Sequence, residues 1–290
     1  MRAALRALRP HQWLKNFLIF VPMVLGHQLT PAAGLPVFEA FAAFCLIASG
    51  IYLFNDLLDL SADRSHPRKS GRPFASGQLR IAHGLWLPPS LVAAGLLLAF
   101  SVNTPTGLVA AIYALLSISY SCGIKRQLVL DIAALSLLYT LRIICGGAAG
   151  EIDVSLWLLA FSMFIFLALA VLKRLAELID LYGRSEVQVP GRAYLISDRP
   201  VLSMVAIASG YIAILVLVLY INSPEVTLLY SHPELLWGVC LVMLYWFTRL
   251  AMLTLRGEMH DDPVVFAIRD RPSLICLAII GTLGLAGALP

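Results

Sequence analysis

The sequence predicts an all-α, polytopic membrane protein: a helical bundle of about nine transmembrane helices capped by polar loops. Three observations predict it. Of the 290 residues, 60% are hydrophobic and 13% are charged, roughly half the charged share of a typical soluble domain. The apolar residues gather into nine long runs, and the charges lie between them. Of the 21 Lys and Arg, all but Arg142 fall in alternate connections. This composition excludes a soluble globular enzyme, which needs polar residues to cover its surface, and it excludes a disordered chain or a disulfide scaffold. The five cysteines, Cys45, Cys122, Cys145, Cys240 and Cys276, lack metal-ligand spacing and sit in or at the ends of apolar runs, as small packing residues do.

The runs, in order, are 13–29, 35–54, 84–102, 106–120, 127–149, 154–172, 201–221, 235–248 and 273–288. The first begins on Trp13-Leu-Lys15-Asn16, an interfacial anchor, and is interrupted by Pro22; both features argue against a cleaved signal segment. Ahead of it, Leu5 and Leu8 alternate with Arg2, Arg6 and Arg9, which suggests a short amphipathic segment on an anionic leaflet. There each basic residue contributes about 1 kcal/mol. The fourth and eighth runs are short for a hydrocarbon core of about 30 Å and must borrow Tyr120, Trp237, Tyr245 and Trp246 from their flanks. The fifth carries Arg142 well inside, where a charge needs a partner or a water-filled cavity that the sequence does not identify. In hydrocarbon each run must satisfy its own backbone. No period-two barrel strands are present, so all nine are expected to be helices.

Basic residues fall at the N-terminus and in the loops after the second, fourth, sixth and eighth runs. The other loops and the C-terminus hold no Lys or Arg; the acids on that side are Glu39, near the start of the second run, and Glu151, Asp153, Glu225 and Glu234. The positive-inside rule then places the N-terminus and these basic loops in the cytoplasm and the C-terminus outside, in a multi-pass protein of the inner, plasma membrane.

Polar chemistry concentrates in two of the basic connections. The first runs from Asn55 through Asp59, Asp63 and Arg64 to Lys69 and Arg72. If the second helix persists, Asn55, Asp59 and Asp63 at i, i+4 and i+8 line one face, while Asp56 points about 100° away and is the weaker candidate. An amide and carboxylates without nearby cysteine suit a hard ion such as Mg2+, which retains waters and bridges to phosphates. The acids could instead pair with the neighbouring Arg and Lys. Asn55, however, follows a wholly apolar run and should lie below the headgroups, where polar groups are functional by default. Downstream, Pro67, Gly71 and Pro73 interleave with the cations in a turn-rich loop able to fold over a phosphate. The second concentration, after the sixth run, holds Lys173, Arg174, Glu177, Asp180, Arg184 and Arg192. Lys173 and Glu177 are also placed for a purely local ion pair. Lys15 and Lys125 bring further cations to the same side.

Asn55-Asp-x-x-Asp59-x-x-x-Asp63, nine spans and a second polar loop after the sixth resemble the UbiA superfamily of intramembrane prenyltransferases, over essentially the whole chain. Arg9-Pro-His-Gln-Trp13-Leu-Lys15-Asn16, Asp63-Arg64-Ser-His66-Pro67, Lys173-Arg174-Leu-Ala-Glu177-Leu and Met259-His260-Asp261-Asp262-Pro263 are similar to its decaprenyl-phosphate phosphoribosyltransferase branch. The resemblance implies one integral membrane transferase domain over 1–290, a UbiA-like bundle with a central cavity open to lipid and cytoplasmic caps. Ordinary members carry a second aspartate-rich motif after the sixth helix for a second Mg2+. This chain departs there, with Lys173, Arg174, Glu177 and Asp180 in its place. The branch implies transfer of 5-phosphoribose from phosphoribosyl diphosphate to a polyprenyl phosphate, and a role in supplying a pentose donor for envelope polysaccharide. Mg2+ on Asn55, Asp59 and Asp63 would stabilise the departing diphosphate, with Asp59, Asp63 and Arg72 in the catalytic roles. Arg64, Lys69 and Arg72 would hold phosphate oxygens. Lys173, Arg184 and Arg192 would serve the 5-phosphate or the lipid phosphate, aided by Lys15 and Lys125, and Glu177 would ligand metal or hold a ribose hydroxyl. The alternatives are an aromatic prenyltransferase of the same fold, which should show the second aspartate pair, and a transporter, for which Arg142 with Gly146-Gly147 is the hint. No nucleic-acid partner is expected; a homo-oligomer is left open.

Overall fold

The computed structural model describes residues 7–65, 70–182, 192–259 and 262–289, and every regular element among them is helical. Eight long helices are each apolar enough to cross a membrane. They are α1 (Pro31–Leu58), α2 (Ile81–Val102), α3 (Thr104–Cys122), α4 (Leu130–Gly150), α5 (Leu156–Tyr182), α6 (Arg199–Ile221), α7 (Leu236–Leu255) and α8 (Arg271–Ala288). The all-helical, multi-pass membrane fold expected from the sequence is thus present. Helix starts follow side-chain chemistry. Thr30 caps α1 by accepting the Ala33 N–H, with Pro31 ready-shaped in the first turn. Asn103 caps α3, accepting from Thr106 N while its amide donates to Ala148 O. Asp270 caps α8 through Ser273 N. The amphipathic segment expected around Arg2, Leu5 and Arg6 lies outside the described residues.

Two elements differ from the expected runs. The first run is not a continuous α-helix. It is a 3-10 helix over Pro10–Phe20 followed by a short α-helix, Val21–Leu25. The tighter, more elongated spiral rises about 2.0 Å per residue, so 16 residues extend about 30 Å. Its three-residue repeat also keeps one row of side chains in register. Trp13 donates to Ser49 Oγ at 3.0 Å, Asn16 donates to Cys45 Sγ at 3.3 Å, and Ile19 is fully buried. The sixth run continues ten residues past its apolar end as α5, so Lys173, Arg174, Glu177 and Asp180 stand on a helix rather than in a loop.

The chain packs as two compact units, Met1–Ile124 with Leu141–Val154, and Lys125–Thr140 with Ser155–Pro290. Helix α4 therefore contributes its first half to the second unit and its last half to the first. In the first unit α1 packs against α2, α3 and the 3-10 helix; in the second α5 packs against α6, and α7 against α6 and α8. Close approach in the first unit depends on Gly146 of α4, where an added Cβ would overlap the Ile19 carbonyl. Because the obstacle is backbone, Gly146→Ala should destabilise by about 1–3 kcal/mol. Gly281→Ala, in open space on α8, should be neutral or stabilising. Thermal unfolding of the two variants in detergent checks this contrast.

Candidate functional site

The first polar cluster is built at the end of α1. The helix breaks at Asp59 (φ −94°, ψ 10°) and resumes as the short helix Leu60–Ser65, but backbone bonds from Asp59 N to Asn55 O and from Asp63 N to Asp59 O carry the turn across the break. Asn55 Nδ2 donates to Asp59 Oδ2 at 3.1 Å. Asp63 is 2% exposed and accepts from Arg72 Nη1. Asp56, the weaker candidate by helical angle, is equally buried at 2% exposed, and it accepts from both Arg9 and Arg72. Arg72 thereby joins Asp56 to Asp63. Its position is fixed by the following turn, in which Phe74 is buried against Ala7 and Leu53 and Leu79 N donates to Pro73 O. Arg9 stacks over Tyr52, 5.2 Å from the ring centre, with its own backbone at a left-handed φ of 51°. The chemistry of Asn55, Asp59 and Asp63 fits a hard divalent cation. Among the described residues, however, no three His, Cys, Asp or Glu side chains converge on one point.

The second cluster lies in the second unit. Arg174, 1% exposed, spreads its guanidinium between two acids. Nε and Nη2 donate to the fully buried Asp131 at 2.5 and 3.1 Å, and Nη1 donates to both oxygens of Glu177 at 2.6 and 2.7 Å. Arg192 Nη1 donates to the Lys125 carbonyl at 3.1 Å and lies 3.5 Å from Asp131 Oδ1. Lys125 itself is buried, on the 3-10 turn Ile124–Arg126. Tyr194 Oη accepts the Val129 N–H at 3.2 Å. Burial pushes the Tyr194 phenol up and the nearby Asp131 charge pushes it further, so it remains a neutral acceptor at neutral pH. Lys173 Nζ donates to Asp262 Oδ2 at 2.9 Å, while Asp262 Oδ1 caps the helix Pro263–Arg269 through Val264 N. Of the motif singled out in the sequence, Asp262 therefore reaches α5, while His260 and Asp261 lie outside the described residues. Asp180 is exposed.

Arg142 finds its partners in the first unit. Nε donates to Asn16 Oδ1 at 2.9 Å and Nη2 to Tyr113 Oη at 2.8 Å, with the guanidinium 4.8 Å above the Tyr113 ring. Lys15 is buried on the same 3-10 helix as Asn16, and Arg64 is exposed on Leu60–Ser65. Lys69 and Arg184, both expected to bind phosphate, lie outside the described residues. Sequence reasoning missed Asp131, ranked Asp56 below its neighbours, and named Asp262 only as part of a motif without a role. Asp131 carried a usable signal, an acid in the first turn of a span otherwise wholly apolar to Arg142.

These features define a class: a helical membrane protein with a polar cluster at the end of a span in each unit, each built on one arginine shared by two carboxylates. The UbiA prenyltransferase family profile matches residues 16–268, and the chain belongs to that family. It is 37% identical over 274 residues to the nodulation protein NoeC of Azorhizobium caulinodans, covering 93% of this chain and 88% of that one. It is also 37% identical over 180 residues to the decaprenyl-phosphate phosphoribosyltransferase of Mycolicibacterium smegmatis, covering 60% of this chain and 56% of that protein. A UbiA homolog from Archaeoglobus fulgidus bound to GPP and Mg2+ superimposes with a TM-score of 0.72 at 15% identity, over 99% of each chain.

Removal of Arg72 takes the arginine from buried Asp63 and leaves Asp56 to Arg9. Arg72→Met should cost about 3 kcal/mol, and adding Asp63→Asn should return part of it. Unfolding midpoints for the four proteins of this cycle measure the coupling, and additive losses would mean that Arg72 does not join the two acids.

Proposed function

We propose that the protein transfers 5-phosphoribose from phosphoribosyl diphosphate to a polyprenyl phosphate and releases diphosphate, at the cytoplasmic face of the inner membrane. The observation that carries this reading is the end of α5. Where an aromatic prenyltransferase needs a second aspartate pair, this chain places Lys173, Arg174 and Glu177, with Lys173 bound to Asp262 and Arg174 bound to both Asp131 and Glu177. A donor with a diphosphate and a 5-phosphate, approached by a lipid phosphate, brings three anionic groups together and calls for cations there. The partial likeness to decaprenyl-phosphate phosphoribosyltransferases supports the same reading.

Asn55, Asp59 and Asp63 are the residues that would hold Mg2+. When bound, the ion supplies Lewis-acid stabilisation of the diphosphate leaving group. The remaining steps fall to the chain. Arg72, with Arg64 and Lys69, holds diphosphate oxygens; Arg72 is able to exchange a carboxylate for a phosphate as a bidentate donor. Lys173, Arg184 and Arg192 take the 5-phosphate or lipid phosphate, with Lys15 and Lys125 adding charge. Glu177, oriented from Arg174 Nη1, accepts a ribose hydroxyl. A lipid phosphate oxygen forms the bond to the anomeric carbon as the bond to diphosphate breaks, and the electron pair leaves with diphosphate. The nucleophile is already anionic at neutral pH, so no strong general base is required.

Membranes carrying the protein, incubated with radiolabelled phosphoribosyl diphosphate, Mg2+ and polyprenyl phosphate, should move label into the organic phase. Chelation of the metal should abolish the transfer. Asp59→Asn should reduce it at least about 100-fold at an unchanged level of membrane protein. Absence of labelled lipid, with prenyl transfer to 4-hydroxybenzoate instead, would replace this reading by the aromatic prenyltransferase.

A further inference from the structure

Among the described residues Asp131 is the most deeply buried acid of the second unit, at 0% exposed, and no sequence motif marked it. Its two oxygens take Nε and Nη2 of Arg174. This side-on fork fixes the guanidinium plane and turns the one remaining nitrogen, Nη1, onto Glu177. On its other side Oδ1 lies 3.5 Å from Arg192 Nη1, which also holds the carbonyl of Lys125. Asp131 thus links the start of α4, the end of α5, the turn bearing Lys125 and the chain that returns at Arg192.

The backbone leading into Asp131 is independently constrained. Val129 sits at φ 67°, a left-handed conformation that a β-branched residue adopts only when its surroundings impose it. The Tyr194 hydroxyl pins that residue's N–H. A capping acid at a free helix end would require neither the left-handed Val129 nor two arginines on its carboxylate.

We propose that Asp131 is a positioning residue for the sugar-phosphate donor: through Arg174 it aims the Glu177 carboxylate, and through Arg192 it sets the turn that carries Lys125. This inference rests on the phosphoribosyl-transfer reading for the identity of the donor, but not for the geometry.

The test is a cycle of wild type, Asp131→Leu, Arg174→Met and the double variant, each as the full chain in membranes. Each single change strands a buried charge and should lower the unfolding temperature. The double change removes the pair together, and such replacements are often neutral or stabilising, so stability should return. The KM for phosphoribosyl diphosphate should rise at least about tenfold in Asp131→Leu, which keeps Arg174 but frees its guanidinium plane, while the KM for polyprenyl phosphate moves far less. A wild-type donor KM in Asp131→Leu, with only stability lowered, would mean that Asp131 only supports the fold, and would overturn the inference. Asp131→Asn supplies a second arm should Asp131→Leu misfold: the same rise in donor KM supports the proposal, and an unchanged KM overturns it. Wild-type failure to transfer phosphoribose counts against the functional reading instead. The same proteins are then compared by their KM for prenyl diphosphate, the anionic donor of the alternative reaction. A rise in Asp131→Leu again supports a positioning role, and a wild-type value there again overturns it.

Discussion

A charge carried into a low-dielectric interior must find its counter-charge inside the protein, and this requirement shapes both polar clusters. At about 4 Å and an effective dielectric near 20, one pair of unit charges is worth roughly 4 kcal/mol, comparable to the desolvation it must offset. The net gain in stability is therefore small, but the geometric demand is strict. In each unit the same solution recurs: one arginine serves two carboxylates. Arg72 joins Asp56 and Asp63, and Arg174 joins Asp131 and Glu177. Arg9 adds a second cation to Asp56 and Arg192 one near Asp131, so the members of each cluster are coupled.

The same constraint explains the 3-10 helix near the start of the described chain. An α-helix of the same residues would rotate the row 13, 16 and 19 progressively away from α1. The three-residue repeat keeps Trp13, Asn16 and Ile19 aligned along it, and Asn16 then meets Arg142, a charge set deep within a span. A tighter and less favourable backbone is maintained because it places a polar row against polar partners.

Membership of the UbiA prenyltransferase family fixes the coarse chemistry, an intramembrane transferase acting on prenyl substrates, and leaves the substrate pair to local residues. In the second cluster each cation is held by acids, Arg174 by Asp131 and Glu177 and Lys173 by Asp262.

Composition and the alternation of basic loops determined by themselves that the chain is a multi-pass helical membrane protein, because hydrocarbon requires long apolar helices whatever they pack against. The spacing of Asn55, Asp59 and Asp63 likewise announced the first cluster, since helical periodicity is a local property. Tertiary structure decided the rest. That Asp56 rather than Asp59 shares Arg72 with Asp63 depends on how Phe74 anchors the following turn. That Arg174 is buried between two acids rather than offered to a phosphate depends on Asp131, 43 residues away in the chain. The partners of Arg142 come from segments 126 and 29 residues distant. Such pairings join residues that no local pattern relates, so they became visible only when the helices were packed.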